Sequence, residues 1–186
     1  YRVRQFPILE NIDPVFFSFN MEGNYIPLEV KKQLKKYGPI GCRDEGTFFR
    51  LQRQGIPVYI SGCVTSLLPK RKCKKEKQTK TIFVDIPVSS KEYIPQEVMK
   101  EAEFRTNIYR ITRTTGEKRM TKEESEEAYK MANEQLLYLQ NNAKLVVTSR
   151  LHIASPCIAM GIPVIVVKDN FDDRFAWLDK YVKLYE

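Results

Sequence analysis

The chain has 186 residues, 42% of them hydrophobic, which is enough for one good core or for parts of two. Its formal net charge is +8, but the run 70–80 (KRKCKKEKQTK) holds seven Lys/Arg against one Glu, so basicity is a local property. A nucleic-acid reader interleaves such charge with aromatics and this run has none; no apolar stretch reaches bilayer-spanning length, and the opening YRVRQFPILE lacks a signal-peptide core.

In chain order, residues 15–19 (VFFSF) follow the breaker Asp13-Pro14 and read as a short buried strand. Pro27 suits a first helical position, and Val30, Leu34 and Tyr37 recur at helical spacing before Gly38, leaving Lys31, Lys32, Lys35 and Lys36 on the solvated faces. Residues 40–42 read as a strand end, Asp44 as the N-cap of a helix over 45–54 stopped by Gly55, and 58–60 as the next strand. Arg43 at that junction is either a salt-bridge partner of Asp44 or Glu45 or a ligand contact.

The basic run, with Lys70 and Lys80 at its ends, is expected as a flexible linker; its second reading is attraction to an anionic membrane surface. Residues 81–86 (TIFVDI) open a further set of strands, and Ile94-Pro95 starts a short helix with Val98 and Met99. Residues 107–112 (NIYRIT) alternate like a strand that ends at Arg113. Thr121-x-x-Glu124 is a capping box for a long helix to about residue 140, with Ala128, Met131, Ala132, Leu136 and Leu139 on one face. Glu123, Glu124, Glu126 and Glu127 crowd its first turns as solvated charges favoured by the helix dipole.

The densest signal lies at 143–168, AKLVVTSRLHIASPCIAMGIPVIVVK, which reads as one strand–helix–strand unit. Both strands are continuous apolar runs, as parallel strands covered on two faces are, and ligands bind at the carboxyl ends of such strands. The polar residues Thr148, Ser149, Arg150 and His152 fall at that strand end. The first amides of the following helix favour an anion, and the planar guanidinium of Arg150 fits phosphate or carboxylate in a bidentate way. His152 is the one histidine of the chain, so it alone has an unperturbed pKa near neutrality. The same residues also fit a helix cap with a satisfied polar pair, and spacing alone leaves both readings open. Cys42, Cys63, Cys73 and Cys157 form no Cys-x-x-Cys pair and have a single histidine to join them. That argues against structural zinc, so no metal is expected, and reduced thiols of a cytoplasmic protein are the default, with Cys157 packed in its helix.

The run VVTSRLHIASPCIAMGIPVIVV resembles the C-terminal signature of the polysaccharide pyruvyl transferase family, in which a strand ends in Ser-Arg-Leu/Phe-His before an Ala-rich helix, Gly-Xaa-Pro and another strand. The stretch YGPIGCRDEGTFFRLQRQGIPVYISGCVTSLLP (37–69) resembles the same family's middle motif, and the two lie in the expected order. Together with the tail DDRFAWLDKY (172–181) they span just over a third of the chain. The resemblance implies an α/β protein of GT-B-like architecture, two Rossmann-type domains with doubly wound parallel sheets and a site in the cleft between them. On that expectation residues 1–66 are the C-terminal part of a first domain, incomplete in this chain, 67–80 a basic linker and 81–186 the second domain. Family members are longer and open with a Gly/Asn turn that nothing before Tyr1 supplies, so a fragment is expected. They often carry a histidine near the strand end where this chain has Arg113.

The activity implied is transfer of pyruvate from phosphoenolpyruvate to a sugar diol as a cyclic ketal, in cell-surface or exopolysaccharide synthesis at the inner face of the membrane. Phosphoenolpyruvate is then a substrate, and no cofactor is expected. The donor presents a phosphate and a carboxylate, for which Arg150, with Ser149 beside it, is the first anchor and Arg43 or Arg174 the second. His152 is expected as the acid for the enol carbon or the base for the hydroxyl. Lys168 either neutralises the leaving phosphate or is a surface lysine. The acceptor is a nucleotide- or lipid-linked saccharide, and no nucleic acid is expected as a partner. The alternatives are a nucleotide-sugar glycosyltransferase or epimerase of the same fold, which lacks a glycine-rich phosphate loop here, and a non-enzymatic sugar-binding relative.

Overall fold

A computed structural model describes residues 6–21, 23, 25–108, 120–172 and 174–185. The chain divides into two compact units, Tyr1–Leu67 with Phe171–Tyr181, and Leu68–Asn170 with Val182–Glu186.

In the first unit, β1 (Ile40–Cys42) and β2 (Val58–Ile60) run parallel with Gly41 opposite Tyr59, joined by helix α2 (Glu45–Arg53). Asp44 caps α2 as its sequence position implies, accepting a hydrogen bond from the Thr47 amide at 2.8 Å. Helix α1 (Leu28–Lys36) buries Val30 and Leu34 on one stripe, against a core that includes Phe19, Ile40, Cys42 and Leu51. A Cβ on Gly41 would stand 2.8 Å from the Phe16 carbonyl oxygen, so only glycine admits the chain that crosses it. That crossing chain is the expected strand at 15–19. It is reduced to one parallel bridge, Phe19 to Cys42, because Ser18 takes a left-handed backbone (φ 54°) and interrupts the extended run.

The second unit is built on a five-stranded parallel sheet in the order β4-β3-β5-β6-β7. Its strands are β3 (Lys80–Val84), β4 (Glu103–Arg105), β5 (Ala143–Thr148), β6 (Val164–Val167) and β7 (Leu184–Tyr185). Its helices are α3 (Gln96–Glu101), α4 (Lys122–Asn142) and α5 (Leu151–Met160). From β3 the chain steps outward to β4, then returns through α4 to the other side of β3. Right-handed crossovers therefore place α3 on one sheet face and α4 and α5 on the other. Ile82, Val84, Val146 and Val166, at alternate positions of three neighbouring strands, are fully buried. Helix α5 is buried almost all round, from Leu151 to Met160, which explains why its sequence is apolar without an amphipathic stripe. Gly161 ends it in the left-handed conformation (φ 71°), its amide reaching the carbonyls of Cys157 and Ile158.

An edge strand precedes the stretch 107–112 whose alternation reads as a strand. Glu103–Arg105 forms it, Asn107 and Ile108 lie beyond its end, and the rest of that expected strand, with Arg113, lies outside the described residues. A charged triplet becomes a strand because its charges are met locally: Glu103 takes hydrogen bonds from Lys80 (2.8 Å) and Tyr138 (2.6 Å) and pairs with Arg105 (3.0 Å). Arg105 also lies 3.9 Å over the Tyr138 ring, and its Nε donates to the buried Gln135. Gln135 is thus a polar member of the α4 stripe, and Glu124, expected as a solvated charge, is buried in the capping box at Thr121. The basic run 70–80 belongs to the second unit and is tied down there: the Arg71 amide donates to Met160 (3.0 Å) and Cys73 Sγ to Asn141 (3.2 Å), with the neighbouring lysines left in solvent.

Burial alone would raise the Glu103 carboxyl, but its bonds from Lys80, Tyr138 and Arg105 outweigh that and bring it down from 4.5 to about 2. A carboxyl depressed on folding contributes stability that is complete above the unfolded value and is lost as pH falls through the folded one. Thermal melts between pH 4.5 and 2 are expected to fall more steeply for the parent than for Glu103→Gln, and parallel curves would contradict this.

Candidate active site

The order of the sheet reverses between β3 and β5, and the carboxyl ends of those two strands leave a crevice where neither crossover runs. Val84 pairs with Thr148 in the last register position, so Asp85 and Ser149 stand side by side just beyond the sheet. Thr148 is fully buried and clamps the crevice: its hydroxyl donates to the Val84 carbonyl (2.8 Å) and accepts from the Arg150 amide (3.0 Å). The Ser149 hydroxyl donates to the Asp85 carbonyl. Arg150 Nε donates to Asp85 Oδ2 at 3.0 Å, and the η nitrogens of Arg150 bond no described residue. The guanidinium is about half exposed (45%), whereas Asp85 is mostly covered (11%).

Arg150 is the N-cap of α5 and has no side-chain cap of its own, so the amides of Leu151 and His152 start the helix without intrahelical acceptors. His152 is exposed in the first turn and has no partner among the described residues. Pro156 lies inside the helix and has no amide, so the His152 carbonyl cannot receive the usual bond from four residues on. The start of α5 thus brings two backbone donors, an exposed imidazole and a guanidinium held only through Nε into one short segment.

Asp85 is the residue that reading the sequence missed. Burial raises its carboxyl, but bonds from the Asn107 amide, the Thr106 hydroxyl and Arg150 prevail and hold it below the ordinary aspartate value. The only sequence signal is an aspartate ending an apolar run, FVDIP, in line with where doubly wound sheets bind ligands.

Lys168 follows β6 and lines an apolar cavity of ≈ 640 Å³ on the α3 face of the sheet, over Phe83, Val147, Ile165 and Val167. Its backbone amide donates to Tyr185 at 3.0 Å. Arg43 and Arg174 belong to the first unit. The Arg43 Nε lies 3.6 Å from Asp44, the salt-bridge alternative of the sequence reading. Arg174 grips Asp172 with two bonds of 2.7 and 2.8 Å, beside a cavity of ≈ 290 Å³ that Asp44, Arg50 and Asn20 also line. Burial pushes the Cys42 and Cys157 thiols up to about 12, which leaves neither as a nucleophile near neutral pH. Among the described residues no cluster could hold a metal ion, and no helix is long and apolar enough to cross a membrane.

The sheet and its strand order define a Rossmann-like α/β protein with a polar strand-end turn at the reversal of that order. The sequence pattern of the polysaccharide pyruvyl transferase family matches residues 15–170, and the chain belongs to that family, a family of transferases. No curated protein and no solved structure matches it.

Replacing Thr148 with Val keeps the shape of the clamp and removes both of its hydrogen bonds. Thr148→Val is expected to lose about 1–3 kcal/mol of stability in urea unfolding, since the Arg150 amide and Val84 carbonyl lose their partner; an unchanged midpoint would show that neither group depends on the hydroxyl.

Proposed function

We propose that the protein is a ketal-pyruvyl transferase that binds phosphoenolpyruvate at the turn following β5 and joins its pyruvyl group to two hydroxyls of a sugar. The observation that carries the reading is the Arg150 fork, fixed through Nε by Asp85 with its η nitrogens unbonded among the described residues, at the amino end of α5. A donor with a phosphate and a carboxylate suits that arrangement: the fork takes one anionic group in a bidentate way, and the amides of the helix start favour the other.

In the reaction the methylene carbon of the enol phosphate gains a proton, one sugar hydroxyl adds to the neighbouring carbon, phosphate departs, and the second hydroxyl closes the ketal. One hydroxyl proton replaces the proton spent on carbon and the other leaves with phosphate, so the exchange balances without a cofactor. His152, exposed two residues beyond Arg150, is the side chain proposed to hand on the proton. Arg43, Arg174 and Lys168 remain candidates for the second anchor and for the leaving phosphate. The architecture proposed for the whole enzyme is GT-B-like, with a nucleotide- or lipid-linked saccharide as acceptor, acting at the inner face of the membrane. The solvated lysines of the run 70–80 would favour an anionic surface there, each nearby charge contributing about 1 kcal/mol.

Calorimetric titration of phosphoenolpyruvate should show binding to the parent that is lost in a folded Arg150→Ala; equal binding by both would sink the assignment of the donor to this turn. His152→Ala should keep its melting temperature and its donor affinity while phosphate release in the presence of acceptor falls about 10²- to 10⁴-fold. Undiminished release would remove His152 from the chemistry.

A further inference from the structure

We infer that Asp85 is the positioning residue of the anion site: it binds no substrate, and it fixes Arg150 and Ser149 in the geometry that receives the anion. The inference rests on the functional reading above and adds a residue to which neither the family match nor the sequence motif assigns a role.

Asp85 occupies a position that few residues tolerate. Its backbone is left-handed (φ 48°), directly after the last residue of β3 and beside the reversal of strand order. Asp and Asn enter this region more readily than other residues bearing side chains, because a short polar side chain can bond locally. The turn aims the two ends of one residue at the same neighbour segment. The Asp85 carbonyl accepts from the Ser149 hydroxyl, and Oδ2 accepts from Arg150 Nε at 3.0 Å. Oδ2 also accepts from the Asn107 amide at 3.0 Å, which ties the chain beyond β4 to the same point. Three segments that are far apart in sequence thus meet on Asp85, and all of these bonds are made by groups other than the η nitrogens.

The choice of Nε matters chemically. A carboxylate that gripped both η nitrogens would occupy the fork, as Asp172 nearly does with Arg174. Binding at Nε sets the plane of the guanidinium and leaves its bidentate edge for a ligand. The hydrogen bonds that lower the Asp85 carboxyl also make it a poor proton acceptor, which argues against its serving as the base for a sugar hydroxyl.

The sign of one measurement separates this role from plain electrostatics. Removing a carboxylate beside an anion site should tighten anion binding if charge alone matters. If Asp85 acts by holding the fork, removing it should weaken binding although a repulsive charge has gone. Asp85→Gly keeps the left-handed backbone and deletes the side chain, and Asp85→Asn restores a neutral acceptor in the same place. Phosphoenolpyruvate and, separately, inorganic phosphate are titrated into the parent and both variants, with melting curves. The Arg150 Nε–H resonance is followed by nitrogen-edited NMR, since a purely structural role would not release that proton to solvent exchange. The expected result is a loss of about tenfold or more in affinity for Asp85→Gly, with Asp85→Asn between it and the parent and the Nε–H exchanging fast in the glycine variant.

Equal or tighter binding by folded Asp85→Gly overturns the inference, as does an unchanged Nε–H resonance. If the glycine variant fails to fold, Asp85→Asn decides: weaker binding supports the role, and binding at least as tight as the parent's overturns it. A parent that binds inorganic phosphate and not phosphoenolpyruvate refutes the donor reading while Asp85 is judged on phosphate. A parent that binds neither overturns both.

Discussion

The pairing of β3 with β5 is the constraint on which the second unit depends. These strands are neighbours in space although α3, β4 and α4 separate them in the chain, and from them the order runs outward in both directions. Everything that distinguishes the candidate site follows from that single adjacency. It brings Asp85 beside Ser149, lets Thr148 clamp Val84, and opens a crevice that neither crossover covers. A ladder of parallel hydrogen bonds between two β-branched, apolar runs holds the position of a few polar atoms beyond its end, which rigid strands do better than loops.

The site so formed is balanced in charge and unbalanced in its bonding. Asp85 and Arg150 cancel as ions, yet the acceptor is mostly covered while the donor is half exposed, so the unsatisfied capacity lies with the cation. The helix start adds amides of the same polarity. The anion binding proposed for this turn would work through directed donors, with little reliance on net charge, in a protein whose positive charge is concentrated elsewhere. That concentration, at 70–80, also acquires a structural place: Arg71 and Cys73 fasten the run to the ends of α5 and α4, and the lysines around them stay in water.

The cavity of ≈ 640 Å³ on the α3 face shows that concavity and chemistry need not coincide. It is apolar, it sits on the sheet face served by the short α3, and of the residues expected to act in the reaction it is lined by Lys168 alone. A doubly wound sheet has two apolar faces, and a face with little helix above it leaves volume whatever the chemistry. The strand ends of β3 and β5 are richer in directed polar groups.

Residue order alone determined those features whose physical cause is local. Asp44, Thr121 and Gly161 act on atoms within a few residues of themselves, so caps and stops were legible, as was the strand–helix–strand unit with its Ser-Arg-Leu-His turn. The family was legible for a related reason, since its motifs are contiguous stretches at two strand ends. What tertiary structure decided involves partners distant in the chain. An edge strand formed on Glu103–Arg105, a triplet too charged to announce itself, because Lys80 and Tyr138 answer its charges from elsewhere. Ser18 broke the strand that 15–19 promised, and Gln135 and Glu124 went inside a helix stripe that hydrophobicity assigned otherwise. Asp85 is the clearest case: 65 positions separate it from Arg150, and no periodicity or spacing rule links them. Local energies can be read one segment at a time, but a hydrogen bond across a sheet exists only after the sheet has chosen its order.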